Sequence, residues 1–309
     1  MKYIDKSKPN SLAAASALHA WRDTYRYEFR PTEEKNFPQY FGFELSELCK
    51  KKPEITGKYM FNIIPSIEKS NLREALRNEQ NGLCCYCCQK LDKDKDESKK
   101  RKDEDGLDFE PIEHFDDKNK HPCKTFNYDN LLLACRGNKQ PEKYHFTRND
   151  SKENIAQHFQ ITVADLEKQN PKSSSWSFNH MEAINIKLPK HCDVAKEDKP
   201  IVINPSDPLE KDCWKKFTYN KEGKIQAAKG DSKVEKAIEI LNLNMTALKE
   251  GRKTAWEAAE ESYQEKNLNG FLENSDYEGY KKELQELKDS ASNAPFSPVY
   301  WYYYESLSI

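Results

Sequence analysis

Hydrophobic positions along this chain fall into short runs of two spacings, and together they predict an α+β protein that is mostly helical. Residues 10–30, "NSLAAASALHAWRDTYRYEFR", read as a helix that Asn10 or Ser11 can cap and Pro31 closes. Leu12, Ala15, Leu18 or His19, and Arg22 would share its inward face. A second helix covers "SIEKSNLREALRNEQ" and stops at Asn81 and Gly82. The period then changes. Leu107, Phe109 and Ile112 alternate in "LDFEPIEHF", which predicts a strand despite Pro111, and the run "NLLLAC" predicts another ending at Cys135. Residues 136–191 are irregular and polar, with a helical piece near 151–168 and a loop at "PKSSSWS". "KFTYNKEGKIQAA" predicts a hairpin turning at 220–223. From Asp231 the spacing is helical again, with Val234, Ile238 and Leu241 on one face. The aromatic run at 300–304 fits either packing against those helices or a docking surface for another protein. No internal repeat is visible.

Composition sharpens this picture. Of 309 residues, 36% are hydrophobic and 33% charged, so the core is modest, and 16 tyrosines with 14 phenylalanines offset the shortage of aliphatic side chains. The mixed-charge run at 92–106 reads as a solvated loop. No run approaches the roughly 20 apolar residues that cross a bilayer, and "MKYIDKSKPN" lacks the apolar stretch of a signal peptide. A soluble, cytoplasmic protein is expected. The 50 basic residues are balanced by 52 acidic ones, for a net charge of −2, so a nucleic-acid role would need a local basic patch or a basic partner.

Four of the nine cysteines crowd into "LCCYCCQKL" as Cys84, Cys85, Cys87 and Cys88. In a reducing compartment such spacing points to metal rather than disulfides. Tetrahedral zinc needs four ligands, and one knuckle cannot present both overlapping C-x-x-C pairs to one ion. Cys84 and Cys87 are favoured because Cys84 follows the helix stop. Cys135 and Cys192 would complete a structural site, with His191, Cys123 and Cys213 as competing ligands.

Candidate chemistry clusters nearby. Glu113 and His114 end one predicted strand, Asn130 begins the next, and Asp193 and Lys196 open a helical turn. A histidine beside carboxylates suits phosphodiester hydrolysis: carboxylates hold a hard cation and imidazole takes a proton from water. The other histidines, His121, His145, His158 and His180, read as solvated or packing residues.

In order, C-x-x-C, Glu-His, Asn-Leu-Leu, cysteine and His-Cys-Asp-x-x-Lys resemble the HNH endonuclease motif. "PNSLAAASALHAW", "LREALRNEQNGLCCYC", "IEHF", "YDNLLLACRGN", "HCDVAKEDKPIVINPSDP" and "AIEILNLNMTALKEGR" resemble the PtuB-type HNH nucleases of Septu and retron-associated anti-phage systems. The resemblance implies a ββα-metal core with a structural zinc knuckle at 81–215, interrupted by the charged loop 92–106 and an insertion at 136–191. An N-terminal helical region (1–80) and a hairpin with C-terminal helices (216–309) would wrap it. His114 would be the general base and Asn130 would orient the loop bearing it. Asp193 and Glu113 would hold a catalytic Mg2+ or Mn2+, Cys84, Cys87, Cys135 and Cys192 would hold Zn2+, and Lys196 would touch phosphate. The family usually joins its second cysteine pair closely, whereas 56 residues separate Cys135 from Cys192 here. Asn138 is therefore the alternative to Asp193 in the motif's last position. The implied partners are a PtuA-type ABC or SMC-like ATPase and, in retron versions, a reverse transcriptase with its RNA–DNA hybrid. A ribonuclease cutting a host RNA such as tRNA, and a non-catalytic zinc-stabilised adaptor, are the rival readings.

Overall fold

The computed structural model describes residues 1–28, 57, 61, 64, 66–91, 110–138, 142–145, 150–159, 161–170 and 183–308. The charged run 92–106, Leu107, Phe109, the loop 171–177, His180 and the side chain of Arg22 lie outside them. What is described is α+β and mostly helical, with three separate two-stranded antiparallel sheets.

The centre of the main core is a strand of three leucines. β1 (Ile112–His114) pairs with β2 (Leu131–Leu133), Glu113 facing Leu132 and His114 facing Leu131. Leu131, Leu132 and Leu133 are all fully buried, so β2 is covered on both faces, as an unbroken apolar run implies. Their burial contributes roughly 5–9 kcal/mol of transfer free energy, which anchors everything attached to this strand. α1 (Pro9–Glu28) and α2 (Ser66–Glu79) pack against this unit. Lys6 pairs with the buried Glu79 and donates to the Leu131 carbonyl at 2.7 Å, while Ser11 Oγ and Tyr128 Oη donate to Glu79 Oε2 at 2.6 and 3.0 Å. That network turns α1. Ser11 and Leu18 face inward with Ala14 and Ala15 half-buried, whereas Leu12, expected on the inner face, is 56% exposed and His19 is exposed too.

Residues 136–191 hold more order than their polarity predicts. β3 (Glu142–His145) pairs with β4 (Ala183–Ile186), and α3 (Lys152–His158) and α4 (Val163–Gln169) lie between them in sequence. Ser151 and Thr162 cap those helices by accepting from Asn154 N and Asp165 N. Ile155, Ala156, Leu166, Ile184 and Ile186 form a separate small core. The excursion closes where it began: His191 N donates to the Gly137 carbonyl at 3.1 Å. Gly137 has φ +55°, and a Cβ there would sit 2.2 Å from the His191 carbonyl oxygen, so this neck requires glycine.

α5 (Cys192–Lys196) follows, then the hairpin of β5 (Phe217–Tyr219) and β6 (Ile225–Ala227), whose turn closes as Gly223 N donates to Asn220 O. Asp231 caps α6 (Ser232–Ile240), which buries Val234 and Ile238. α7 (Thr246–Glu265), α8 (Leu268–Glu273), α9 (Tyr277–Ser290) and α10 (Ser297–Ser306) complete the chain. The aromatic run lies on α10 and is interior packing. Tyr303 and Tyr304 are buried, Tyr302 meets Tyr219 edge-on at 5.6 Å, and Trp301 Nε1 donates to the Lys288 carbonyl. No helix among the described residues is long and apolar enough to cross a membrane.

Candidate metal centre and active site

The thiol cluster begins where α2 ends. Asn81 and Gly82 take positive φ values of 55° and 69°, and Gly82 N bonds back to Arg77 O at 2.8 Å, a glycine stop that turns the chain sharply. A tight knuckle follows: Leu83 bridges Lys90, Cys84 N donates to Gln89 O, and Cys88 N donates to Cys84 O. Buried Gln80 clamps the knuckle to β2, donating to the Leu83 and Leu133 carbonyls and accepting from Leu133 N. Cys85 N donates to Leu133 O as well. The knuckle is thereby fixed beside Cys135, two residues beyond β2, and Cys135 N donates to Cys84 Sγ at 3.3 Å.

Cys84, Cys87, Cys135 and Cys192 are buried, and their ligand atoms all lie within 4.8 Å of one another. A tetrahedral zinc thiolate has sulfurs roughly 3.8 Å apart, so this group can hold zinc with little adjustment. All four cysteines are free. Burial pushes the Cys87 and Cys192 thiols up, whereas hydrogen bonds from neighbouring thiols outweigh burial at Cys84 and hold it low. Protons are thus shared across the group, and a dication is what lets all four sulfurs ionise together. Cys85, Cys88 and Cys213 are buried outside the group and Cys123 is exposed. His191 stands at its edge, Nδ1 lying 3.2 Å from Cys192 Sγ and 3.7 Å from Cys135 Sγ. Asn138 turns elsewhere, donating to the Pro189 carbonyl.

α5 joins this cluster to the carboxylates: its five residues include Cys192, Asp193 and Lys196. Lys196, 1% exposed, places Nζ 2.7 Å from Glu113 Oε1, and Tyr86 Oη donates to the same oxygen at 2.7 Å. The lysine expected at phosphate is therefore a buried counter-ion. Half-buried Asp193 is pushed up to about 9 by burial, by its hydrogen bond to Glu113 and by that group's charge, with Lys196 and Lys118 opposing. Two acidic side chains in contact thus share a proton, with the Lys196 ammonium paired to one of them.

Neighbours on a strand point to opposite faces, and His114 turns away from Tyr86 toward the β1–β2 loop. Its Nε2 lies 3.2 Å from the Thr125 carbonyl, which can only accept, so Nε2 carries the proton. Among the described residues Nδ1 is buried without a hydrogen-bond partner, as is the nearby Thr125 Oγ1. Phe61 meets the imidazole edge-on at 4.5 Å and fixes its plane. Burial pushes the His114 pKa down to about 3, with Lys118 acting in the same sense, so the ring is neutral. Asn130, 5% exposed, straps the loop: Oδ1 accepts from Asp116 N at 2.8 Å, and Nδ2 donates to the Asp116 and Lys124 carbonyls.

Four participants escaped the sequence reading. Tyr86 lies inside the cysteine motif, where the thiols drew attention away from it. Thr125 acts through a backbone carbonyl, which no side-chain pattern reports. Phe61 comes from a distant segment. Lys118, four residues after His114, acts electrostatically on both His114 and Asp193 and has no carboxylate partner among the described residues; its proximity to "EHF" was the available signal. Compared with models of known families and with curated proteins, the chain matches none.

Proposed function

We propose that this chain is a metal-dependent HNH-type nuclease that hydrolyses phosphodiester bonds, DNA in preference, as the PtuB-like effector of an anti-phage system gated by a PtuA-type ATPase. The observation that carries the hydrolytic part is His114: a neutral imidazole whose Nε2–H is occupied and whose buried Nδ1 is free to accept a proton. The antiparallel β1–β2 pair followed by α5, laced together by four thiols, supports the HNH assignment. The ATPase and the defence role rest on the sequence resemblance.

A Mg2+ or Mn2+ held by Asp193 and Glu113 would neutralise charge on the phosphate and the departing oxygen. The chain's own residues do the rest. His114 Nδ1 takes the proton of the attacking water, and the Thr125 carbonyl holds the opposite N–H through that change. Burial makes the free imidazole a weak base, and an incoming phosphate supplies the negative charge that favours its protonated form. The base is strengthened by substrate itself. Asn130 keeps the loop from drifting, Lys196 balances Glu113, and Lys118, whose charge acts on both histidine and Asp193, would offer its ammonium to a phosphate oxygen.

The test incubates purified protein, alone and with the neighbouring ATPase, with plasmid DNA or total RNA and Mg2+ or Mn2+. Cleavage by wild type and its loss in His114→Ala, with zinc content and circular dichroism unchanged, is the expected result. Equal cleavage by both proteins would remove the histidine from the chemistry. Cleavage of RNA alone would change the substrate class.

A further inference from the structure

Among the described residues the most deeply buried guanidinium belongs to Arg252, in the second turn of α7 and 2% exposed. Its Nε donates to the Gly223 carbonyl and Nη2 to the Leu243 carbonyl, each at 2.6 Å. These bonds tie α7 to the β5–β6 turn and to the residues after α6. They satisfy donors but do not balance charge. Among the described residues no carboxylate lies within ion-pair distance of Arg252. The acidic groups that act on it are Tyr219 and the cysteines Cys87, Cys192 and Cys88. Arg252 and Cys87 line one cavity of about 10 Å³, at the lower limit of room for a water molecule.

A buried, unpaired cation costs several kcal/mol, so such a residue signals a nearby anion. Four thiols that share protons supply at most part of one. A zinc ion with four thiolates supplies it in full, because two positive charges against four negative ones leave a net of −2.

We propose that Arg252 is the counter-charge of a zinc–tetrathiolate centre formed by Cys84, Cys87, Cys135 and Cys192, acting on the metal through the thiolates rather than as a ligand. This rests on the zinc reading of the four thiols and not on nuclease activity. The consequence is reciprocal: zinc stabilises the position of α7, and α7 stabilises the ionised sulfurs. The metal would thereby link the knuckle to the C-terminal helices, which contribute no ligand to it. His191 also approaches the group, with Nδ1 at the sulfurs of Cys192 and Cys135.

The experiment compares full-length wild type, Arg252→Met and Arg252→Lys. Zinc stoichiometry of wild type is measured first, then zinc affinity of each protein by competition with a chromogenic chelator, starting from loaded protein. Urea unfolding is followed with zinc present and after stripping. Arg252→Met should lose roughly 10- to 100-fold in zinc affinity. Arg252→Lys, which keeps the charge, should recover most of that loss. The two carbonyl bonds lost in Arg252→Met count equally with and without zinc, so Arg252→Met should be destabilised more with zinc bound than after stripping. Unchanged zinc affinity in Arg252→Met, or equal destabilisation with and without zinc, would overturn the proposal and leave Arg252 a tie between carbonyls. Should Arg252→Met fail to fold, affinity in Arg252→Lys decides: within about threefold of wild type supports the charge role, and a Met-like loss of roughly 10-fold or more overturns it. Wild type that binds no zinc would instead remove the zinc reading itself.

Discussion

Replacing Lys196 with methionine isolates the value of one buried ion pair. The side chains are similar in length, so little packing is lost, but Glu113, 5% exposed, loses the cation beside it. The Tyr86 hydroxyl on Oε1 and the hydrogen bond with Asp193 remain, and neither carries positive charge. Breaking a buried pair from one side typically costs roughly 3–5 kcal/mol, and two retained hydrogen bonds hold the loss to the lower part of that range. Urea unfolding of zinc-loaded protein without Mg2+ or Mn2+ should therefore show Lys196→Met less stable by about 3–4 kcal/mol at pH 7. Adding Glu113→Gln to Lys196→Met should restore most of the loss, since the amide oxygen still accepts from Tyr86. A penalty under about 1 kcal/mol at pH 7, or one unrelieved by Glu113→Gln, would refute the reasoning.

Three other outcomes follow from the site. Cys192→Ser should lose tightly bound zinc whereas Cys85→Ser keeps it, read by metal analysis after gel filtration; retention by Cys192→Ser would return Asn138 to consideration as the end of the motif. Asn130→Ala removes three hydrogen bonds to the loop after His114 and should cost about 2–3 kcal/mol with zinc content unchanged, read by urea unfolding. His114, held neutral with its pKa near 3 against about 6.5 unfolded, contributes stability that is complete above pH 6.5 and declines as pH falls toward 3. Between pH 7 and 5 wild type should lose about 2 kcal/mol more than His114→Asn, and parallel losses would contradict it.

What the sequence disclosed was chiefly local. The leucine run of β2, the glycine stop after α2 and the hairpin at 220–223 are short-range devices, and each stands in the structure where its pattern predicted. The choice of Cys84 and Cys87 over Cys85 and Cys88 was readable too, from the helix stop that Cys84 follows. Long-range electrostatics was not readable. Lys196 was expected at phosphate, and its 2.7 Å approach to Glu113 is a contact that no local pattern reports. Leu12 misled for a related reason: the buried Glu79 carboxylate draws Ser11 inward, and a hydrogen bond sets the face of α1 against the hydrophobic count. The core within 136–191 was hidden because its apolar residues are spread over four short elements, none amphipathic enough to stand out alone.

The neck between Gly137 and His191 bears on how such a chain can change. Its two sides already touch through a hydrogen bond, so the ligands on either flank are insensitive to how much polypeptide hangs beyond it. Lengthening a closed loop costs only about 0.6 kcal/mol per doubling. The excursion is accordingly a cassette: it can be trimmed, enlarged or exchanged for a different module while Cys135 and Cys192 stay in register. Change at that position would then run free of the constraints that hold the thiols.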